Sequence, residues 1–402
     1  MHREQAPAAD PGRAAAHAAS RARPFRIAVE QAVLDDLERR LARTRWPRHP
    51  GEPGWGRGAS PVYLRELVDH WRSAYDWRAE EARLNALPQF TAEVGGERLH
   101  FVHVRGRSPR ATPLVLLHGW PDTFHRFHRA IPQLADPATP GGSFDIIVPS
   151  LPGFPLTGAL RQRPSAQPVR RIAALIHRLV TDVLGHDRFA VAGGDTGSAV
   201  AQRLAIDFPD AVIGIHITDL GWHATMVDPA PLPSAEQKYL AAQQQRFLAD
   251  GAYAMVQTTR PRSLAVGLTD SPVGLAAWIV DRFHAWSDGD LDARFGKDAL
   301  LTNIMLYWVT RAIGSSLELY RAEARSPSLT AADRVERPVA VALFPDGAGG
   351  TPPRSFAERT LCVQRWTEMP RGGHFAALEE PALYARDVVA FFRSLTGPPG
   401  AS

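Results

Sequence analysis

The segment Val191-Ala192-Gly193-Gly194-Asp195-Thr196-Gly197-Ser198 sets one carboxylate among residues small enough for the chain to double back on itself. An apolar run at 189–192 precedes it and a helical pattern follows from about 198, so the spacing predicts a sharp strand-to-helix turn with Asp195 at its apex. Such a turn lifts one side chain to the top of a sheet. Serine is the usual occupant. An aspartate in that place attacks carbon through a carboxylate oxygen and forms an ester, which narrows the chemistry to covalent catalysis.

An ester intermediate needs donors for its carbonyl oxygen and a base for the water that removes it. His118-Gly119-Trp120-Pro121 follows an apolar run at 113–117, and a tight turn there aims the backbone N–H of Trp120 at the site, with the N–H of Thr196 as its partner donor. Gly372-Gly373-His374-Phe375 follows the last predicted strand, a position that singles out His374 as general base among 15 histidines. A histidine base requires a carboxylate to fix its tautomer. Asp346, just after the run at 338–344, is the first choice, and Asp219, after the run at 212–217, is a second strand-end acid.

These residues need a scaffold that brings strand ends together. Short apolar runs at 113–117, 144–148, 189–192 and 212–217 read as buried parallel strands, separated by helical patterns at 124–134, 169–184 and 198–207. The series resumes at 338–344 and 361–367 and closes with a helix at 381–395. Residues 89–94 and 98–104 flank Gly95-Gly96 as a predicted hairpin. The alternation implies an α/β chain with a doubly wound, mostly parallel sheet, whose ligands sit at the carboxyl ends of the strands.

Two amphipathic helices, at 29–45 and 62–75, precede the sheet and read as an N-terminal helical extension spanning 24–88. The core then occupies 89–221 and 327–396. Between them, 222–326 lapses into helical sequence carrying Tyr239, Tyr253, Tyr307 and Tyr320, which reads as a cap inserted over the site. The ends, 1–23 and 397–402, are expected to be loose.

With 402 residues, 45% of them hydrophobic and 22% charged, the chain has the composition of a globular protein with a large core. Its net charge of +4 comes with arginines scattered along the chain, so no concentrated footprint for nucleic acid is present. The single Cys362 excludes an intramolecular disulfide framework and a cysteine metal cluster, and suits a reducing compartment; a cytoplasmic location is expected. No His/Cys/Asp spacing matches a metal site, and neither metal nor cofactor is expected. No stretch reaches the roughly 18 apolar residues that span a bilayer. Oligomeric state stays open, a homodimer among the options.

Taken together, Gly-Gly-Asp-Thr-Gly-Ser, His-Gly-Trp-Pro, Pro352-Pro353-Arg354-Ser355-Phe356 and Gly-Gly-His-Phe-Ala-Ala-Leu-Glu resemble the epoxide hydrolases of the microsomal type, over about 24–392. The resemblance implies an α/β-hydrolase fold with a helical cap and an N-terminal extension. It also implies a two-step reaction, in which the aspartate opens an epoxide and histidine-activated water then hydrolyses the ester to a diol, with a small-molecule epoxide and water as partners. Two cap tyrosines would hydrogen-bond the epoxide oxygen: Gly251-Ala252-Tyr253-Ala254-Met255 matches the first tyrosine motif and Leu317-Glu318-Leu319-Tyr320-Arg321 the second. Phenols suit that task because they stay protonated near neutral pH.

Two departures from the family pattern matter. Relatives place the acid as Phe-Pro-x-Asp, whereas this chain has Phe344-Pro345-Asp346-Gly347, and Thr196 stands where an aromatic residue is common. The first keeps both Asp346 and Asp219 in play; the second alters one wall of the pocket while leaving the backbone donor. A haloalkane dehalogenase, the other chemistry of an aspartate nucleophile, and a non-catalytic ligand-binding protein on the same fold are the alternative readings.

Overall fold

In the computed structural model, which describes residues 22–48, 53–108, 111–136, 144–159, 167–221, 232–345 and 351–396, the apolar runs join one nine-stranded sheet. The strands are β1 (Arg23–Phe25), β2 (Gln89–Val94), β3 (Glu97–Val104), β4 (Pro113–Leu117), β5 (Asp145–Pro149), β6 (Phe189–Gly193), β7 (Val212–Ile217), β8 (Val335–Leu343) and β9 (Leu361–Glu368). Their spatial order is β1-β2-β3-β5-β4-β6-β7-β8-β9. β1, β2, β3 and β5 pair antiparallel in succession, and every pairing from β5 across to β9 is parallel. β2 and β3 meet at Gly95-Gly96, both at positive φ (57° and 82°), the geometry a two-residue hairpin turn demands.

β5 and β6 are buried along their whole length, and β4 is buried from Leu114 to Leu117, because helices cover both faces of the sheet. That is why they read as unbroken apolar runs rather than alternating ones. The parallel register aligns Leu117 with Gly193 and Gly193 with Ile217, so the turns after β4, β6 and β7 emerge side by side. His118 to Pro121, Gly194 to Gly197 and Asp219 are thereby gathered at one edge.

The expected helix at 124–134 is instead a 3-10 turn, Phe124–Phe127, and a short helix, Ile131–Ala135. Pro132 explains the break: it lacks an N–H and clashes inside a helix, but is tolerated in the first turn of a new one. The pattern at 169–184 is a helix, Pro168–Arg178, that widens into a π turn at Leu179–Val183. Most of the ends expected to be loose lie outside the described residues, but Arg23 begins β1, which edges the sheet against β2.

The N-terminal segment is therefore stitched to the sheet as well as packed on it. Asn85 accepts the N–H of Ile27 and donates to its carbonyl, both at 2.8 Å, and Glu81 accepts the N–H of Val29 at 2.7 Å. From there it reaches the cap: Arg40 to Asp270 at 2.8 Å, Tyr63 to Asp292 at 2.8 Å, Tyr75 to Thr302 at 3.1 Å, and Trp55 stacked on His284 at 4.0 Å. The cap is helical, including Ser234–Asp250, Ala252–Thr259, Pro261–Asp270, Pro272–Trp286, Lys297–Thr310 and Ile313–Arg325. Among the described residues no single helix is long and apolar enough to cross a membrane. One sharply bent pair, Pro261–Asp270 with Pro272–Trp286, is apolar enough taken together, and the second helix of that pair buries Leu275, Ile279, Val280 and Phe283 in the core.

The helix Thr196–Asp207 crosses the end of β4 so closely that a Cβ on Gly197 would lie 2.1 Å from the Leu117 carbonyl oxygen and 2.9 Å from that of His118. Both neighbours are backbone and cannot swing aside. Gly197→Ala is expected to destabilise the fold by about 1–3 kcal/mol, the usual range for overpacking a filled site. Urea denaturation reads it, and an unchanged midpoint would mean that helix and strand do not approach this closely.

Candidate active site

Asp195 ends the turn from β6 into the helix Thr196–Asp207 with φ 56° and ψ −129°, a conformation that non-glycine residues seldom adopt. Holding it costs on the order of 1–3 kcal/mol, so the surroundings must over-determine it. They do so through small residues and hydrogen bonds. A Cβ on Gly193 would meet the Gly197 carbonyl carbon at 2.6 Å, and one on Gly119 would meet Asp195 Oδ1 at 2.3 Å. The Asp195 N–H donates to Asp219 Oδ2 at 2.6 Å, and the Ser198 hydroxyl donates to the same oxygen at 3.2 Å.

The two oxygens of Asp195 are unlike. Oδ1 accepts from the backbone N–H of Trp120 at 2.9 Å, the backbone N–H of Thr196 at 2.6 Å and the Thr196 hydroxyl at 2.9 Å. Oδ2 faces His374, whose Nε2 stands 3.6 Å away, buried and without a hydrogen-bond partner among the described residues. Oδ1 is thus fixed and its charge dispersed, while among the described residues no hydrogen bond reaches Oδ2 beside His374.

His374 is positioned through its backbone. Its N–H donates to the Trp286 carbonyl at 2.7 Å, and its carbonyl accepts from Arg126. Gly372, at φ 99°, makes the preceding bend and donates to Asp288 Oδ2 at 2.8 Å. Burial pulls the imidazole pKa well below its ordinary 6.5; Asp195 pulls the other way and Arg126 adds to the lowering. The ring is therefore held neutral, as a base must be.

Tyr253 and Tyr320 reach this place from separate cap helices, their ring centroids 6.2 Å apart. Tyr253 stacks on Trp120 at 5.7 Å, Tyr320 meets the same indole edge-on at 5.7 Å, and Trp286 closes against Tyr253 at 5.1 Å. Burial raises both phenol pKa values above 10, and the negative charge of Asp195 raises them further. Both stay protonated across the physiological range.

Of the two acids expected behind His374, Asp346 lies outside the described residues. Asp219 serves the turn rather than the base: its carboxylate accepts from Asp195 and Ser198, and among the described residues it makes no hydrogen bond to His374. Burial pushes its pKa up to about 6, with the Asp195 charge adding to the rise.

Sequence reasoning missed the pair that joins the loops. Asp122 and Arg126, four residues apart and both buried, form an ion pair at 2.5 Å. Asp122 also accepts the Gly119 N–H at 2.9 Å, its own carbonyl accepts from Tyr307 at 3.0 Å, and Arg126 holds the His374 carbonyl. Two opposite charges at helical spacing inside the apolar stretch around Trp120 and Phe127 were the available signal. Away from the site, and unforeseen because they come from three distant segments, His103 and His186 converge on Asp145 at 3.1 and 3.0 Å. The carboxylate also takes the Gly106 N–H at 3.1 Å, and hydrogen bonding accounts for this cluster.

Residues 22–127 match the family model described as the epoxide hydrolase N terminus, and 112–314 match that of the alpha/beta hydrolase fold. A relative in Stigmatella aurantiaca is 39% identical over 92% of this chain and 85% of its own. Epoxide hydrolase 1 of Oryctolagus cuniculus is 31% identical over 92% of this chain and 88% of its own. The crystal structure of juvenile hormone epoxide hydrolase from Bombyx mori superposes with a TM-score of 0.84 at 27% identity, covering 94% of this chain and 95% of that one.

Asp122→Asn removes the carboxylate and leaves the buried Arg126 cation uncompensated. A stability loss of about 3–5 kcal/mol is expected, the cost of breaking rather than replacing a buried pair. The double change Asp122→Leu with Arg126→Met is expected to recover part of it. A loss within about 0.5 kcal/mol in chemical denaturation, the size of a surface substitution, would show that the pair does not tie these loops.

Proposed function

The chain belongs to the epoxide hydrolases, and on that premise we propose that Asp195, His374, Tyr253 and Tyr320, with the N–H groups of Trp120 and Thr196, carry its reaction. The reaction is the opening of an epoxide to a vicinal diol through a covalent aspartyl ester, which water then hydrolyses. The observation that carries the assignment is the asymmetry of the Asp195 carboxylate, with three donors on Oδ1 and, among the described residues, none on the oxygen that faces His374.

In this reading Oδ2 attacks an epoxide carbon while Tyr253 and Tyr320 hydrogen-bond the ring oxygen. The C–O bond breaks, and one phenol gives its proton to the alkoxide. Water then adds to the ester carbon: His374 Nε2 takes a proton, and the carbonyl π pair moves onto Oδ1, where the backbone N–H groups receive the charge. Collapse expels the diol oxygen that was Oδ2. The two protons of the water end on that oxygen and on the tyrosinate, and Asp195 is restored with one oxygen from solvent.

The cap supplies the acids and the core supplies nucleophile and base, which is the division of labour we propose for 222–326 against 89–221 and 327–396. Asp346 is proposed as the acid behind His374, since Asp219 is engaged by the turn. A halide leaving group would need no proton, so two partly buried phenols near enough to feel the Asp195 charge favour ring opening over dehalogenation. The lone Cys362 supports a cytoplasmic placement.

A single turnover in heavy-oxygen water is expected to give diol whose new oxygen comes from Asp195; solvent label in that first diol would overturn the mechanism. Asp195→Asn is expected to abolish turnover. His374→Gln is expected to form the ester and slow its hydrolysis by roughly 10²–10⁴-fold, with the adduct visible by mass spectrometry.

The pH dependence has a definite sign. His374 must be neutral to accept a proton, and burial holds its pKa below 6.5. Esterification removes the Asp195 charge, the larger of the influences that raise it, so the pKa falls further in the intermediate. Ester decay is therefore expected to stay level as pH drops through 6.5 and to fail only below it. An acid limb at or above 6.5 in single-turnover decay would mean that burial does not control the titration of His374.

A further inference from the structure

We propose that the side-chain hydroxyl of Thr196 is a third oxyanion donor, acting in ester hydrolysis and distinct from the backbone N–H of the same residue. The proposal rests on Asp195 being the nucleophile, and extends that reading to a group it does not require. Thr196 Oγ1 lies 2.9 Å from Asp195 Oδ1, the same distance as the Trp120 N–H, and the Thr196 N–H lies at 2.6 Å. The three donors converge on one oxygen from two loops.

The consequence differs between the two half-reactions. In the free enzyme Oδ1 shares a carboxylate charge, and all three donors stabilise it. Alkylation of Oδ2 removes that charge, so a donor on Oδ1 favours the ground state and, if anything, slows ring opening. In hydrolysis the sign reverses. Oδ1 begins as a neutral ester carbonyl and becomes a full oxyanion as water adds, so each donor strengthens towards the transition state. A hydroxyl directed at the carbonyl oxygen therefore accelerates the second step selectively. It also fixes which oxygen attacks, since the oxygen with three donors is the poorer nucleophile.

The bonding balances without a further reactant. The Thr196 hydroxyl keeps its proton throughout; it shortens its hydrogen bond to Oδ1 as the water oxygen bonds to the ester carbon, and relaxes when the diol oxygen leaves. No proton passes through it, so the pH profile of hydrolysis remains that of His374. A residue that merely shaped the pocket would change epoxide binding and ring opening, not the decay of an ester already formed.

Thr196→Val keeps shape and volume and deletes the donor. With a styrene-type epoxide under single-turnover, rapid-quench conditions, the variant is expected to alkylate at an unchanged or slightly higher rate. Ester decay is expected to slow by about 10²-fold, the low end for loss of one oxyanion donor, so that the adduct accumulates. Thr196→Ser is expected to restore decay to near the parent rate, and it also guards against misfolding of the valine variant. Equal decay rates in the parent and Thr196→Val would overturn the proposal, as would a fall confined to alkylation. Failure of the underlying reading looks different: no adduct on Asp195 in His374→Gln, whatever stands at 196.

Discussion

Everything at this site depends on one constraint, a carboxylate held in a turn that its own backbone disfavours. Asp195 sits at φ 56°, and the strain is tolerable only because neighbouring chains have given up side chains to make room. Gly119, Gly193 and Gly197 all lie where a Cβ would strike within 2.6 Å. The same closeness that demands glycine brings two backbone N–H groups and a hydroxyl onto a single oxygen. The steric restriction and the electrostatic provision are therefore one feature: relaxing the turn would remove the donors with it.

A half-buried carboxylate beside a buried imidazole would drift apart in a loosely packed protein. Here the loops are tied by the Asp122–Arg126 pair, which binds the Gly119 N–H at one end and the His374 carbonyl at the other. Two opposite charges add no net charge yet span the distance between the Gly119 loop and the His374 loop. Arg126 also helps keep His374 neutral. Positioning and protonation state thus share a source, which is why a charge pair serves where a hydrophobic contact would give packing alone.

Legibility in the sequence followed the range of the interaction. The strands β4 to β9, the turn at Asp195 and the glycine-flanked His374 are local patterns, and the sequence carries them openly. β1 is three residues with no alternation, and it is a strand only because β2 lies alongside. The partner of a buried charge is chosen by tertiary structure, so the spacing of Asp122 and Arg126 says nothing of the Gly119 and His374 groups that they hold. Tyr253 and Tyr320 came from a family likeness, since a tyrosine in a helix carries no mark that separates packing from chemistry. Asp219 was read as a second acid for the base because it ends a strand at the right edge. Which of two nearby groups it serves depends on a reach of a few ångströms that spacing cannot encode. The Thr196 side chain was read as a wall for the same reason: its hydroxyl matters only through the rotamer that the fold imposes.

The division of protonation states explains why the site needs both a cap and a core. An epoxide hydrolase must hold a proton for the ring oxygen and refuse one at the base, within a few ångströms and at one pH. Burial does both at once, because removing water penalises the charged form of each group: it raises the phenols of Tyr253 and Tyr320 and lowers the imidazole of His374. The Asp195 charge then separates them unevenly, pushing the phenols further from ionisation while drawing the histidine partway back. In the proposed reaction the ester removes that charge, and His374 becomes harder to protonate at the step in which it is to accept a proton only from the attacking water. Enclosure is thus the means of setting acid and base apart. The N-terminal helices serve the same end by fastening the cap through Arg40, Tyr63 and Tyr75, well away from the reacting atoms.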